Sequence, residues 1–147
     1  MERRFGIILA AHGGLAPQML ASWEMLCGPQ QGVGTAELSY GMGLAEMQAK
    51  LRAARAQLAA YDKVLVLADL VGGTPDNAAL RLAAADEKLF VIGGANMPLL
   101  CELASCADEL DAGLTASLAE LARAGIRDET ARLRSAKKKP PQDDGDL

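Results

Sequence analysis

At 147 residues, half of them hydrophobic and only 3% aromatic, the chain is long enough for one domain around an aliphatic core. A formal net charge of −4 and the lack of a basic stripe interleaved with aromatics argue against nucleic acid as the main partner. Three cysteines without a C-x-x-C pair and a single histidine argue against a disulfide framework or a metal centre, and no apolar run nears the ~20 residues of a membrane span.

The apolar run from Phe5 to Ala11 predicts a buried strand over about 4–11, ended by His12 and the pair Gly13 and Gly14. Behind its two arginines the run resembles an export signal, but the glycines cut it short and no cleavage site follows, so a cytoplasmic chain is expected. A helix over about 17–26 carries Met19, Leu20, Trp23 and Leu26 on one face and stops at Gly28 and Pro29. A weakly alternating strand follows over about 33–39, then a helix over about 44–60 with Leu44, Met47, Leu51, Ala54 and Leu58 at helical spacing. The clearest buried strand lies over about 63–70. Gly72 to Pro75 form a loop, with Pro75 placed to begin a helix that runs to about 84. A fourth strand over about 89–93, a helix over about 97–106 and a last helical region over about 113–133 complete the pattern. Residues 1–134 are read as the domain and 135–147 as a polar, disordered tail.

Strands alternating with helices imply an α/β fold: three layers, with a mostly parallel open sheet of four or five strands and helices on both faces. Ligands of such sheets bind beyond the carboxyl ends of the strands. Three glycine-bearing segments fall there: His12 to Gly14, Asp69 to Asn77, and Gly93 to Pro98. Histidine changes charge near neutral pH and is a competent nucleophile, so His12 is the candidate reactive group. Asp69 either caps a turn or accepts a hydrogen bond from one nitrogen of His12, which would leave the other free to attack. Thr74 and the backbone around Gly13, Gly72 and Gly73 would then hold phosphoryl oxygens, at helix N-termini suited to anions. Asn96 is either a plain helix cap or a further member of that phosphoryl-holding group. Leu15, Leu70 and Val71 would form an apolar rim for docking protein partners. The cysteines read as small buried hydrophobes.

Four segments carry a family resemblance: GIILAAHGGLA from Gly6 to Ala16, EMLCG from Glu24 to Gly28, VLADLVGGTPDNA from Val66 to Ala78, and VIGGANMPLL from Val91 to Leu100. In this order and spacing they resemble the enzyme IIA component of the mannose-type sugar phosphotransferase system. The resemblance implies that His12 is phosphorylated by the histidine phosphocarrier protein and passes the group to a histidine on enzyme IIB, here expected to be a separate protein. It implies that Asp69 orients the ring, that Thr74 stands beside the phosphoryl group, and that the chain is a homodimer, with an edge strand exchanged between subunits in some members. Val71 stands where some members carry Trp, and the match weakens after about 106.

Three functions stay open at this level. The first is phosphate relay into sugar uptake without cofactor or metal. The second is a regulatory phosphoprotein whose His12 state controls binding to a kinase or regulator. The third is a small-molecule enzyme on a similar sheet. For the third, a histidine phosphatase needs a second histidine, and a flavoprotein needs aromatics to stack on its cofactor; this chain is poor in both.

Overall fold

The computed structural model describes residues 2–138. Four strands, β1 (Gly6–His12), β2 (Val33–Leu38), β3 (Val64–Ala68) and β4 (Leu89–Gly93), form one sheet in the order β2-β1-β3-β4, every neighbouring pair parallel. The helices are α1 (Leu15–Cys27), α2 (Leu44–Gln57), α3 (Thr74–Ala84), α4 (Met97–Ala104), α5 (Ala112–Ala124) and α6 (Glu129–Ser135). The expected α/β architecture is the one observed, with helices on both faces of the sheet.

The two-residue period of the strands divides the core. Ile7 and Leu9 of β1 and Leu65 and Leu67 of β3 point to one face, where they pack with Trp23 of α1, Leu100 of α4 and Leu118 of α5. Ile8 and Ala10, with Val64 and Val66, point to the other and meet Met47 and Leu51 of α2 and Ala79 of α3. All five residues of β3 are buried, which is why that segment reads as a continuous apolar run.

The helix starts are set by local chemistry. The Asn96 side chain accepts from Leu99 N–H at the start of α4, and Asp111 accepts from Leu114 N–H at the start of α5. Pro75 sits in the first turn of α3, where its missing N–H removes nothing. Two boundaries differ from expectation. The last helical region is broken in two, because Gly125 closes α5 and Asp128 caps a fresh start for α6. Helical structure also enters the span read as tail: α6 ends at Ser135, and a 3-10 turn covers Ala136–Lys138. The rest of that tail, residues 139–147, lies outside the described residues.

Trp23 is the largest fully buried side chain, and the Arg3 guanidinium lies 5.5 Å from its ring centroid. Trp23→Ala is expected to cost about 3–5 kcal/mol, read as a lower urea midpoint at an unchanged slope. Trp23→Phe should cost much less, since the indole Nε1–H it removes is buried with no acceptor.

Candidate functional site

β1 lies between β2 and β3, and the chain leaves it towards α1 on one face, whereas it leaves β3 towards α3 on the other. The two loops leave on opposite faces, so the switch point where such sheets bind ligands falls at the carboxyl ends of β1 and β3. His12 is the last residue of β1 rather than the first of a loop, because it still pairs with Leu38 of β2. Gly13 then turns the chain at φ +58°, its N–H held by Leu38 O.

Parallel pairing places Ala10 beside Ala68, so the next residue of the β3 segment, Asp69, arrives next to His12. Its Oδ2 accepts two hydrogen bonds from that one residue: the backbone N–H of His12 at 3.0 Å, and Nδ1–H of the ring at 2.9 Å. The carboxylate side chain is 11% exposed and the imidazole 43% exposed. The ring is therefore oriented from below by a shielded acceptor while its other edge is open. A carboxylate acceptor at Nδ1 favours the tautomer that leaves Nε2 as a lone-pair nitrogen.

Gly73 flanks that nitrogen and leaves its edge open. A Cβ on Gly73 would lie 2.8 Å from His12 Cε1 and 3.3 Å from Nε2, so only a bare backbone fits there. Gly73 is the N-cap of α3, and Gly14 that of α1; neither helix start carries a side-chain cap. Both therefore present first-turn amides without intrahelical partners beside the histidine, with the favourable end of the helix dipole.

The expected site residues divide into groups. His12, Asp69, Gly13, Gly72, Gly73 and Thr74 meet at this switch point, Thr74 as the first residue of α3. The glycines do not offer their own amides, however. Gly13 N–H goes to Leu38 O, Gly72 N–H to Asp76 Oδ2, and Gly73 N–H to Leu70 O. Gly13 and Gly72 take positive φ at these turns, and only at Gly73 would a side chain meet the His12 ring. Asn96 has a different place from the one expected of a phosphoryl-holding residue. Its Oδ1 caps α4 and its Nδ2 donates to Ala122 O at 2.8 Å, so both ends of the amide are committed to joining α4 and α5. Leu15, Leu70 and Val71 are all exposed, Leu15 as the first residue of α1 and Leu70 and Val71 on the loop after β3.

Sequence reasoning missed the turn after β2. His12 forms one wall of a cleft of about 760 Å³ whose other wall is Leu38 to Met42, with the Tyr40 side chain fully exposed. The signal was there in part: β2 is followed by Ser39, Tyr40 and Gly41, again a glycine-bearing turn at a strand's carboxyl end. A smaller cavity of about 280 Å³, against Arg3 and Gln30, lies at the opposite end of the sheet. Among the described residues no helix is long and apolar enough to cross a membrane, and no three His, Cys, Asp or Glu side chains are grouped to hold a metal ion.

Comparison with known proteins places this arrangement. A family model described as "PTS system fructose IIA component" matches residues 6–121. The chain is 35% identical over 123 residues to the PTS system mannose-specific EIIAB component of Escherichia coli (strain K12), a match covering 82% of this chain but only 38% of that protein's length. It is 30% identical over 104 residues to the PTS system fructose-specific EIIA component of Bacillus subtilis (strain 168), covering 71% of each. Among solved structures, the mannose/sorbose specific IIA subunit from Enterococcus faecalis superposes with a TM-score of 0.76 at 32% identity, over 86% of this chain and 94% of that one. The PTS IIA protein associated with the fucose utilization operon of Streptococcus pneumoniae superposes with a TM-score of 0.78 at 28% identity, over 90% of this chain and 98% of that one.

Proposed function

The chain belongs to the mannose-type enzyme IIA family of the sugar phosphotransferase system, and from that premise we propose that it relays a phosphoryl group on His12 Nε2. The donor in this reading is the phosphohistidine of the histidine phosphocarrier protein, and the acceptor is a histidine of enzyme IIB. The observation that carries it is the Asp69–His12 pair, which occupies Nδ1 and leaves Nε2 facing the uncapped start of α3.

The chemistry needs little more. The Nε2 lone pair attacks phosphorus, the bond from phosphorus to the donor's ring nitrogen breaks, and that electron pair returns to the donor imidazole. Nδ1–H stays on Asp69, whose charge balances the positive charge the phosphorylated ring takes on. The Thr74 hydroxyl and the first-turn amides of α3 stabilise the phosphoryl oxygens, while Gly13, Gly72 and Gly73 give them space. Hand-off to enzyme IIB is the same step reversed on a new partner. Leu15, Leu70 and Val71 would dock both partners in turn. The homodimer common in the family belongs to the same proposal: β4 is an edge strand, and α6 buries none of its side chains in the monomer, which leaves both with surface to cover.

The test is a purified relay of phosphoenolpyruvate, enzyme I, the histidine phosphocarrier protein and this chain. An acid-labile adduct of about 80 Da, one phosphoryl group, is expected on the peptide that holds His12. An active donor that leaves the chain unlabelled would refute the proposal. In the same assay Asp69→Asn should slow labelling about tenfold, the difference between a charged and a neutral hydrogen-bond acceptor. Asparagine can still accept from the ring, but it puts an amide where Asp69 Oδ1 is buried without a partner. An unchanged rate would remove Asp69 from the reacting unit.

A further inference from the structure

We propose that Asp76 is a positioning residue for phosphoryl transfer, holding the Gly72–Gly73 turn against the reacting edge of His12; the inference rests on the phosphocarrier reading. Among the described residues Asp76 is the one charged side chain that is buried, at 5% exposure. A buried carboxylate is costly unless its charge is met by donors. Asp76 lies in the first turn of α3, where an acidic side chain is favoured by the helix dipole, and its Oδ2 accepts from Gly72 N–H at 3.0 Å.

A capping side chain at this position ordinarily reaches back to the N-cap amide. Here the N-cap is Gly73, and the carboxylate reaches one residue further, to the turn that precedes it. Asn77, the next residue of the helix, donates from Nδ2 to Gly72 O at 3.1 Å. Both polar groups of Gly72 are thus held by adjacent side chains of α3, and Gly72 is fixed at φ +82°, a conformation that suits glycine. The residue whose placement this decides is Gly73, where any added Cβ would meet His12 Cε1 and Nε2.

Gly93 at the end of β4 belongs to the same device. A Cβ there would stand 2.9 Å from Asp76 Oδ1, so the missing side chain is what leaves the carboxylate its space. The clamp also keeps Gly72 N–H away from the incoming group. A freed amide would be available to bind a phosphoryl oxygen and alter the fit that transfer in both directions requires.

The experiment measures His12 labelling from the donor for the wild type, Asp76→Ala and Asp76→Asn, with amide exchange at Gly72 followed by NMR on the same proteins. Asp76→Ala is expected to fold, to lose protection at Gly72, and to accept and release the phosphoryl group about tenfold more slowly or worse. Asp76→Asn retains an acceptor oxygen and should restore both rate and protection to within about threefold. A folded Asp76→Ala with the wild-type rate overturns the inference, as does Asp76→Asn as slow as Asp76→Ala. Should Asp76→Ala fail to fold, Gly93→Ala replaces it, with the same slowing expected and a wild-type rate again decisive against. A wild type that is never labelled refutes the phosphocarrier reading instead, and Gly72 protection still shows whether the clamp exists.

Discussion

His12→Ala is expected to abolish phosphoryl acceptance while leaving the fold intact. It is the single histidine of the chain, and the exposed Cys27 ends α1 at the far end of the sheet. The fold should tolerate the change for a specific reason. The imidazole is 43% exposed, so little apolar surface is lost. Asp69 Oδ2 also keeps the second of its two bonds, to the backbone N–H of residue 12, which alanine still supplies. The expected cost is that of one charge-assisted hydrogen bond, about 1.5–3 kcal/mol. The measurement is intact-mass spectrometry of the relay mixture alongside a urea titration. An acid-labile adduct that survives in the alanine variant would place the chemistry on another residue and remove the basis for the relay.

Gly73→Ala should separate function from stability in the opposite sense, by adding one methyl group. Gly73 has φ −74° and ψ 166°, extended backbone that alanine adopts without strain. The substitution also narrows the unfolded ensemble, an effect worth about 0.4–1 kcal/mol in favour of the folded state. The added Cβ, however, would stand 2.8 Å from His12 Cε1, 3.3 Å from Nε2 and 3.3 Å from Leu70 O. Either the imidazole tilts and strains its 2.9 Å bond to Asp69, or the loop retreats and carries the start of α3 with it. In both cases Nε2 and the first-turn amides lose their alignment, and displacements of that size cost about 100-fold in transfer rate. Stopped-flow or quench-flow labelling would read the rate, and thermal melting would show that the variant is folded. A wild-type rate in a folded Gly73→Ala would mean that phosphorus approaches His12 from another side.

How much of this could be read in advance differed from element to element. β3 was plain because all five of its residues are buried, and a short continuous apolar run between turn residues is what a strand covered on both faces requires. β4 was legible to the residue, since Gly93 and Gly94 end it sharply. The break between α5 and α6 was not, because alanine, leucine and arginine favour helix on both sides of the Gly125 stop. Asn96 shows the same limit within the site. Its residue type and its place after a strand suit an anion contact as well as a cap, and only its bonds to Leu99 N–H and Ala122 O decide. Asp76 was passed over for the converse reason. An aspartate in a first helical turn is so common that nothing in the sequence marks this one as buried.

The order of strands and helices, the two-faced aliphatic core, the glycine-rich ends of the strands and the single histidine are all properties of the chain read locally. They depend on interactions between residues close in sequence, so pattern alone determined them. Which strands lie side by side is a matter of long-range packing. The placement of β1 next to β3 brought Asp69 to His12 across 57 residues and set the Gly73 turn beside the ring. A hydrogen bond or a close contact between distant segments has no period in the sequence, because it exists only once loop closure has been offset by burial of the sheet between its helices. Tertiary structure alone therefore decided which nitrogen of His12 is held and which is open.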